Sequence, residues 1–152
     1  MNRLILYLLP LGILMVSCKK ASVDSNNDPQ GYAESQVVGT WKITAVNADI
    51  PYDWDGNGTP ETNLYSAMSA CDKDNLYLFN PDRTGSFSKD CNSTESGVWE
   101  IYQGRTLIII PDNAPAELLK MTSMTSLQFV TTVEVVAPSG QTITLSKTWS
   151  RQ

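Results

Sequence analysis

The chain has 152 residues, 41% of them hydrophobic, and a formal charge of −5 with no histidine. That length holds one domain built around a single core. The acidic balance leaves no basic stripe to neutralise phosphates, which excludes nucleic acid as a partner. The missing imidazole removes the commonest general base and the commonest transition-metal ligand.

Residues 1–17 read as an export address. One positive charge, Arg3, precedes thirteen uncharged residues from Leu4 to Val16. A bilayer span needs about 20 residues, and Pro10 and Gly12 weaken a helix further, so the segment is the core of a signal peptide. The following Leu14-Met15-Val16-Ser17-Cys18 resembles the bacterial lipobox, in which a small residue precedes an invariant cysteine. The resemblance implies cleavage before Cys18 and acylation of that residue. Only Arg3 leaves with the signal, so the net charge of the product is −6. At about 0.8 kcal/mol per buried CH₂, two or more acyl chains hold a protein on a membrane essentially permanently. The expected location is the cell envelope, lipid-anchored outside the cytoplasm at the outer membrane. A plain secretory signal with an incidental cysteine is the other reading.

Residues 18–35 form the expected tether. From Lys19 to about Glu34 the only large apolar side chains are Val23 and Tyr32. Such a stretch cannot bury enough surface to offset its ordering entropy.

From Gln36 to the end, residues 36–152, the pattern turns to short β-rich runs. In Val37 to Val46, alternation puts Val37, Gly39, Trp41, Ile43 and Ala45 on one face and Thr40, Lys42 and Thr44 on the other. Further strands are expected at 75–80, 84–89, 97–102, 106–110, 116–122, 127–136 and 142–150, which makes eight in all. Asn80-Pro81-Asp82-Arg83, Gln103-Gly104-Arg105 and Pro138-Ser139-Gly140 have the chemistry of hairpin turns, so neighbours should pair antiparallel. The expected fold is all-β, an antiparallel up-and-down barrel of eight strands, because closure removes exposed edges. A β-sandwich is the alternative. Trp41, Phe87, Trp99, Phe129 and Trp149 fall on the apolar parity of their strands and should fill much of the interior.

Two places carry a family resemblance. Gly39-Thr40-Trp41 resembles the Gly-x-Trp start of lipocalins, and Trp149-Ser150-Arg151 is similar to the chain end whose Arg lipocalins lay across that Trp. The resemblance spans about 36–152 and is nearest to the lipocalin-like domains of small Gram-negative lipoproteins. It implies a barrel closed by Gly39, Trp41 and Arg151, with a cation–π contact of about 0.5 to 2 kcal/mol. It also implies that the long connection from Ala48 to Asp74 lids the open end.

Inside that connection, Asp53, Asp55 and Asn57 alternate oxygen-bearing side chains before a glycine, with Thr59 and Glu61 beyond. The pattern matches the first half of a calcium loop, although position 12 is Leu64 and not a bidentate Glu. A loop that needs residues tolerant of positive φ would read the same way. Tyr52, Trp54 and Tyr65 on this connection serve either as a contact surface or as packing over the barrel end. With Cys18 assigned to lipid, Cys71 and Cys91 remain as an even pair in an oxidising compartment and are expected to form a disulfide. A catalytic thiol is the weaker alternative without His.

These features point to a non-enzymatic binding module that holds a small apolar ligand or docks an envelope protein. The alternative is a structural or interaction subunit of a cell-envelope assembly. A hydrolase using Asp53, Asp55 or Glu61 has no support, since nothing in the sequence suggests the burial that would shift a carboxyl pKa.

Overall fold

The computed structural model describes residues 31–89 and 93–152. The expected signal peptide 1–17, Cys18, most of the expected tether and Cys91 lie outside them. The elements run α1 (Glu34–Val37), β1 (Gly39–Tyr52), β2 (Glu61–Asn63), α2 (Leu64–Ala67), α3 (Ala70–Asp74), β3 (Leu76–Phe79), β4 (Thr84–Lys89), β5 (Ser93–Tyr102), β6 (Thr106–Pro111), β7 (Glu117–Met124), β8 (Gln128–Val136) and β9 (Thr142–Arg151).

Strands β3 to β9 follow one another as antiparallel neighbours, and β1 closes the ring by pairing with β3 on one side and β9 on the other. The result is an eight-stranded, closed, up-and-down antiparallel barrel. Closure excludes the β-sandwich. The short β2 adds to the far half of β1, where β3 no longer reaches. The tight connections supply the backbone geometry that the sequence suggests. Gln103 and Gly104 both take positive φ in the three-residue connection between β5 and β6, and Gly140 does so between β8 and β9.

Three local readings are corrected. Val37 is not on the first strand but ends α1, where it is fully buried. The alternation of β1 does not run unbroken either. Opposite β9 the register shifts between Ile43 and Ala45, so Val46 and Ala48 face inward and Ala45 loses its place in the core. This bulge bends the strand, which a small barrel needs. Finally, order reaches back into the expected tether. Tyr32 packs on the core and its amide donates to the Gly104 carbonyl, while Glu34 pairs with Arg83 at 3.0 Å.

The end of the barrel near α1 is sealed by one device. The Arg151 guanidinium lies 4.3 Å from the centre of the Trp41 ring. Its nitrogens donate to the carbonyls of Gln36, Val38 and Ser126, each at 2.8 Å. Gly39, at φ 131°, passes directly beneath, and a Cβ there would collide with the guanidinium. Gly140 has a positive φ of 82° but open space around it. Gly140→Ala should therefore cost only the strain of the left-handed region, about 1 to 2 kcal/mol. Gly39→Ala should cost about 2 to 4 kcal/mol, since it adds displacement of Arg151 to that strain. Denaturant unfolding of the two variants checks this; equal losses would mean that the guanidinium contact adds nothing.

Candidate functional site

The interior is aromatic at one end and mostly aliphatic toward the other. At the sealed end, Trp41, Phe79, Trp99, Phe129 and Trp149 are each no more than 1% exposed. Trp149 stacks on Phe129 with ring centroids 5.2 Å apart, and Trp41 meets Phe129 edge-on at 4.6 Å. Each buried indole N–H has an acceptor. Trp41 donates to the Val37 carbonyl, Trp99 to the carbonyls of Asn80 and Thr84, and Trp149 to the Thr131 hydroxyl at 2.9 Å. That last bond explains why Thr131 can be completely buried.

Toward the other end, the inward parity of the strands carries less sealed residues. Val133 and Val135 lie opposite Leu145 and Ile143, which are buried, yet both valines keep partial exposure. Lys147 shares that inward parity. It pairs across the sheet with buried Thr131 on one side and with buried Val46 on the other. Its ammonium meets Glu117 at 3.1 Å, with the lysine side chain 19% exposed and the glutamate 45%. Glu117 also faces inward, opposite Ile109 at the start of β7. Tyr77, opposite Trp41, makes an edge contact with Trp149 at 4.8 Å. Burial pushes its phenol up to about 12, with the charges of Glu117 and Asp72 adding to the effect.

The long connection does not form a plain loop. It continues β1 to Tyr52, returns as β2, and then folds as α2 and α3, capped by Asn63 and Ser69. Leu64 inserts into the core, and Tyr65 and Met68 pack against it. Of the candidate contact aromatics, Tyr52 and Tyr65 lean on the core, whereas Trp54 is half exposed and meets Tyr52 edge-on at 6.3 Å. The Lys73 ammonium covers Tyr65 at 5.5 Å.

The candidate calcium residues sit in the turn between β1 and β2, whose ends are joined by the pairing of Tyr52 with Glu61. Carboxylate oxygens of Asp53, Asp55 and Glu61 come within 4.8 Å of one another. Asn57 is used differently, with its amide donating to Asp55 and its oxygen accepting from the Thr59 N–H. The second Asp53 oxygen accepts from the Gly58 N–H. The remaining oxygens, Oδ1 of Asp53 and Oε1 of Glu61, are buried and have no hydrogen-bond partner.

A closed antiparallel barrel, plugged at one end by aromatic rings and by an Arg–Trp contact, defines a small up-and-down β-barrel. Residues 37–130 match the family model of the lipocalin-like domain. This is more than half of the chain, and the protein belongs to that family. Among solved structures, odorant-binding protein from bovine nasal mucosa aligns with a TM-score of 0.43 at 14% identity, covering 79% of this chain and 74% of its own. The bovine protein in complex with undecanal gives 0.41 at 15% identity, covering 78% and 72%. No curated protein sequence matches the chain significantly.

The sequence reading did not single out Lys147, Glu117 or Tyr77. The signal was present, since Ile143, Leu145, Lys147 and Trp149 share one parity of β9.

Proposed function

We propose that the protein is a non-catalytic binding module that takes a small apolar ligand into the half of the barrel remote from Arg151. The observation that carries this reading is the partial exposure of the inward-facing Val133 and Val135, above an aromatic floor that is no more than 1% exposed. Apolar walls with a few inward polar groups are the usual composition of a small-molecule site. Titrating the protein with the neutral dye N-phenyl-1-naphthylamine should give saturable fluorescence enhancement. Val133→Trp, which fills the inner wall, should abolish it while leaving the fold intact by circular dichroism. Enhancement that does not saturate, or that survives the filling substitution, would reject an interior site.

The barrel is proposed to work from a lipid anchor at Cys18, in the cell envelope. The lipobox-like sequence around that residue supports this reading. Cys18→Ser should shift the protein from the membrane fraction to the soluble fraction of expressing cells, and unchanged partitioning would reject the anchor. A Cys71–Cys91 disulfide fits the same oxidising location and is supported by the disulfide-bonded state of Cys71. It would tie α3 to the connection between β4 and β5 and contribute about 3 kcal/mol in the entropic model.

A second reading concerns the β1–β2 turn, proposed to hold a calcium ion on Asp53, Asp55 and Glu61. The two buried carboxylate oxygens without partners favour it, since unpaired buried acceptors are costly and a hard cation satisfies them. Calcium should raise the thermal midpoint, and a chelator should reverse the gain. The combined Asp53→Asn and Glu61→Gln variant should be insensitive to both. Calorimetry with no calcium heat would dispose of the site.

A further inference from the structure

The ion pair between Lys147 and Glu117 lies on the inward parity of β9 and β7, where the neighbouring inward residues of both strands are apolar. Lys147 belongs to β9 and Glu117 to β7, the two neighbours of β8, so the pair spans the inner face of the strand between them. The rest of the inward parity of β9 is apolar down to Trp149, with Ile143, Leu145 and Trp149 all buried. On β7 the same holds for Leu119 and Met121. A pair that served only to join strands could stand on the outer face without desolvation. Here it sits directly above the aromatic floor, where Tyr77 rests on Trp149.

We propose that Lys147 is the anchoring residue for the ligand's head, and that the ligand is an apolar chain or ring system ending in a carboxylate. This rests on the interior-binding reading above. The choice of an anion follows from the unequal exposure of the partners. Glu117 is 45% exposed, so displaced from the pair it turns into water at little cost. Lys147 is 19% exposed, and a cationic ligand that captured Glu117 would leave the ammonium enclosed without a counter-charge. A carboxylate ligand keeps the lysine paired and releases only the exposed acid. Tyr77 supports the same polarity. Its phenol stays protonated at neutral pH and so remains a hydrogen-bond donor, with Glu117 among its electrostatic neighbours. The apolar part of the ligand then lies along Val133, Val135 and the inner side of β9.

Three probes of equal chain length separate this proposal from the reading beneath it: decanoic acid, 1-decanol and decylamine, each titrated into the full chain by calorimetry at neutral pH. The acid should bind about tenfold or more tighter than the alcohol, the gain of one charge-assisted contact, and the amine weakest. Lys147→Met should bring the affinities of acid and alcohol together. Lys147→Arg should keep the preference for the acid. Glu117→Gln should tighten the acid several-fold by removing the internal competitor, an effect that a purely structural ion pair does not produce. Equal binding of acid and alcohol, a preference for the amine, or an acid preference that survives Lys147→Met would overturn the proposal and leave interior binding standing. If none of the three binds, interior binding itself fails, and the anchoring role falls with it.

Discussion

The guanidinium of Arg151 over the indole of Trp41 is the contact on which the rest of the molecule depends. It joins the last residue of β9 to the start of β1, and its donors reach the carbonyls of Gln36, Val38 and Ser126. One side chain thus fixes the barrel seam, the α1 segment that plugs the end, and the turn between β7 and β8. The cation–π term alone is about 0.5 to 2 kcal/mol. Its larger consequence is geometric. An eight-stranded sheet with two free edges exposes unpaired backbone, whereas the closed ring has none at the β1–β9 seam. The absence of a side chain at Gly39 is the condition for this arrangement, because the guanidinium occupies the space that a Cβ would need.

Closure at one end decides what the other end can do. The three indoles at the floor bring three polar N–H groups into a desolvated region, and each is satisfied locally by an acceptor fixed by the fold. Because every donor is paired and every ring packs against another, the floor offers no group that a ligand could use. The inward polar side chains that are not fully enclosed, Lys147, Glu117 and Tyr77, stand above that floor.

Much of this was legible in the sequence because it depends on period and turn chemistry. Alternation through most of β4 to β9, broken by short turns, gives strand number and pairing. The inward direction of Trp41, Phe87, Trp99, Phe129 and Trp149 follows from the same parity. What was not legible depends on tertiary contacts. The bulge after Ile43 leaves no trace in composition, since the parity change at Val46 is set by the partner strand. The stretch from Leu64 to Asp74 forms helices of only four and five residues, too short to show helical periodicity, and they persist because Leu64 is buried and their caps are satisfied. Tyr32 looked like part of a polar tether because its partners, the Gly104 carbonyl in the β5–β6 turn and the core, lie far away in the chain. Lys147 is a different case. Its inward parity could be read directly, but a lysine in a strand is ordinarily a solvated outer residue, and only its pairing with Thr131 and Val46 fixes its direction.

The two polar features stand toward the same end of the barrel. The turn carrying Asp53, Asp55 and Glu61 follows the far end of β1, on the same side of the barrel as the start of β7, where Glu117 stands. With a net charge of −5 and these acids near its rim, the barrel presents a negative field to anything entering. An anionic head would have to cross that field before it reached Lys147. A divalent cation on the turn would lower the barrier without touching the ligand, because it neutralises rim charge and leaves the interior pair unchanged. The two sites would then be coupled through charge alone, and a coupling of this kind weakens as salt screens it over about 8 to 10 Å.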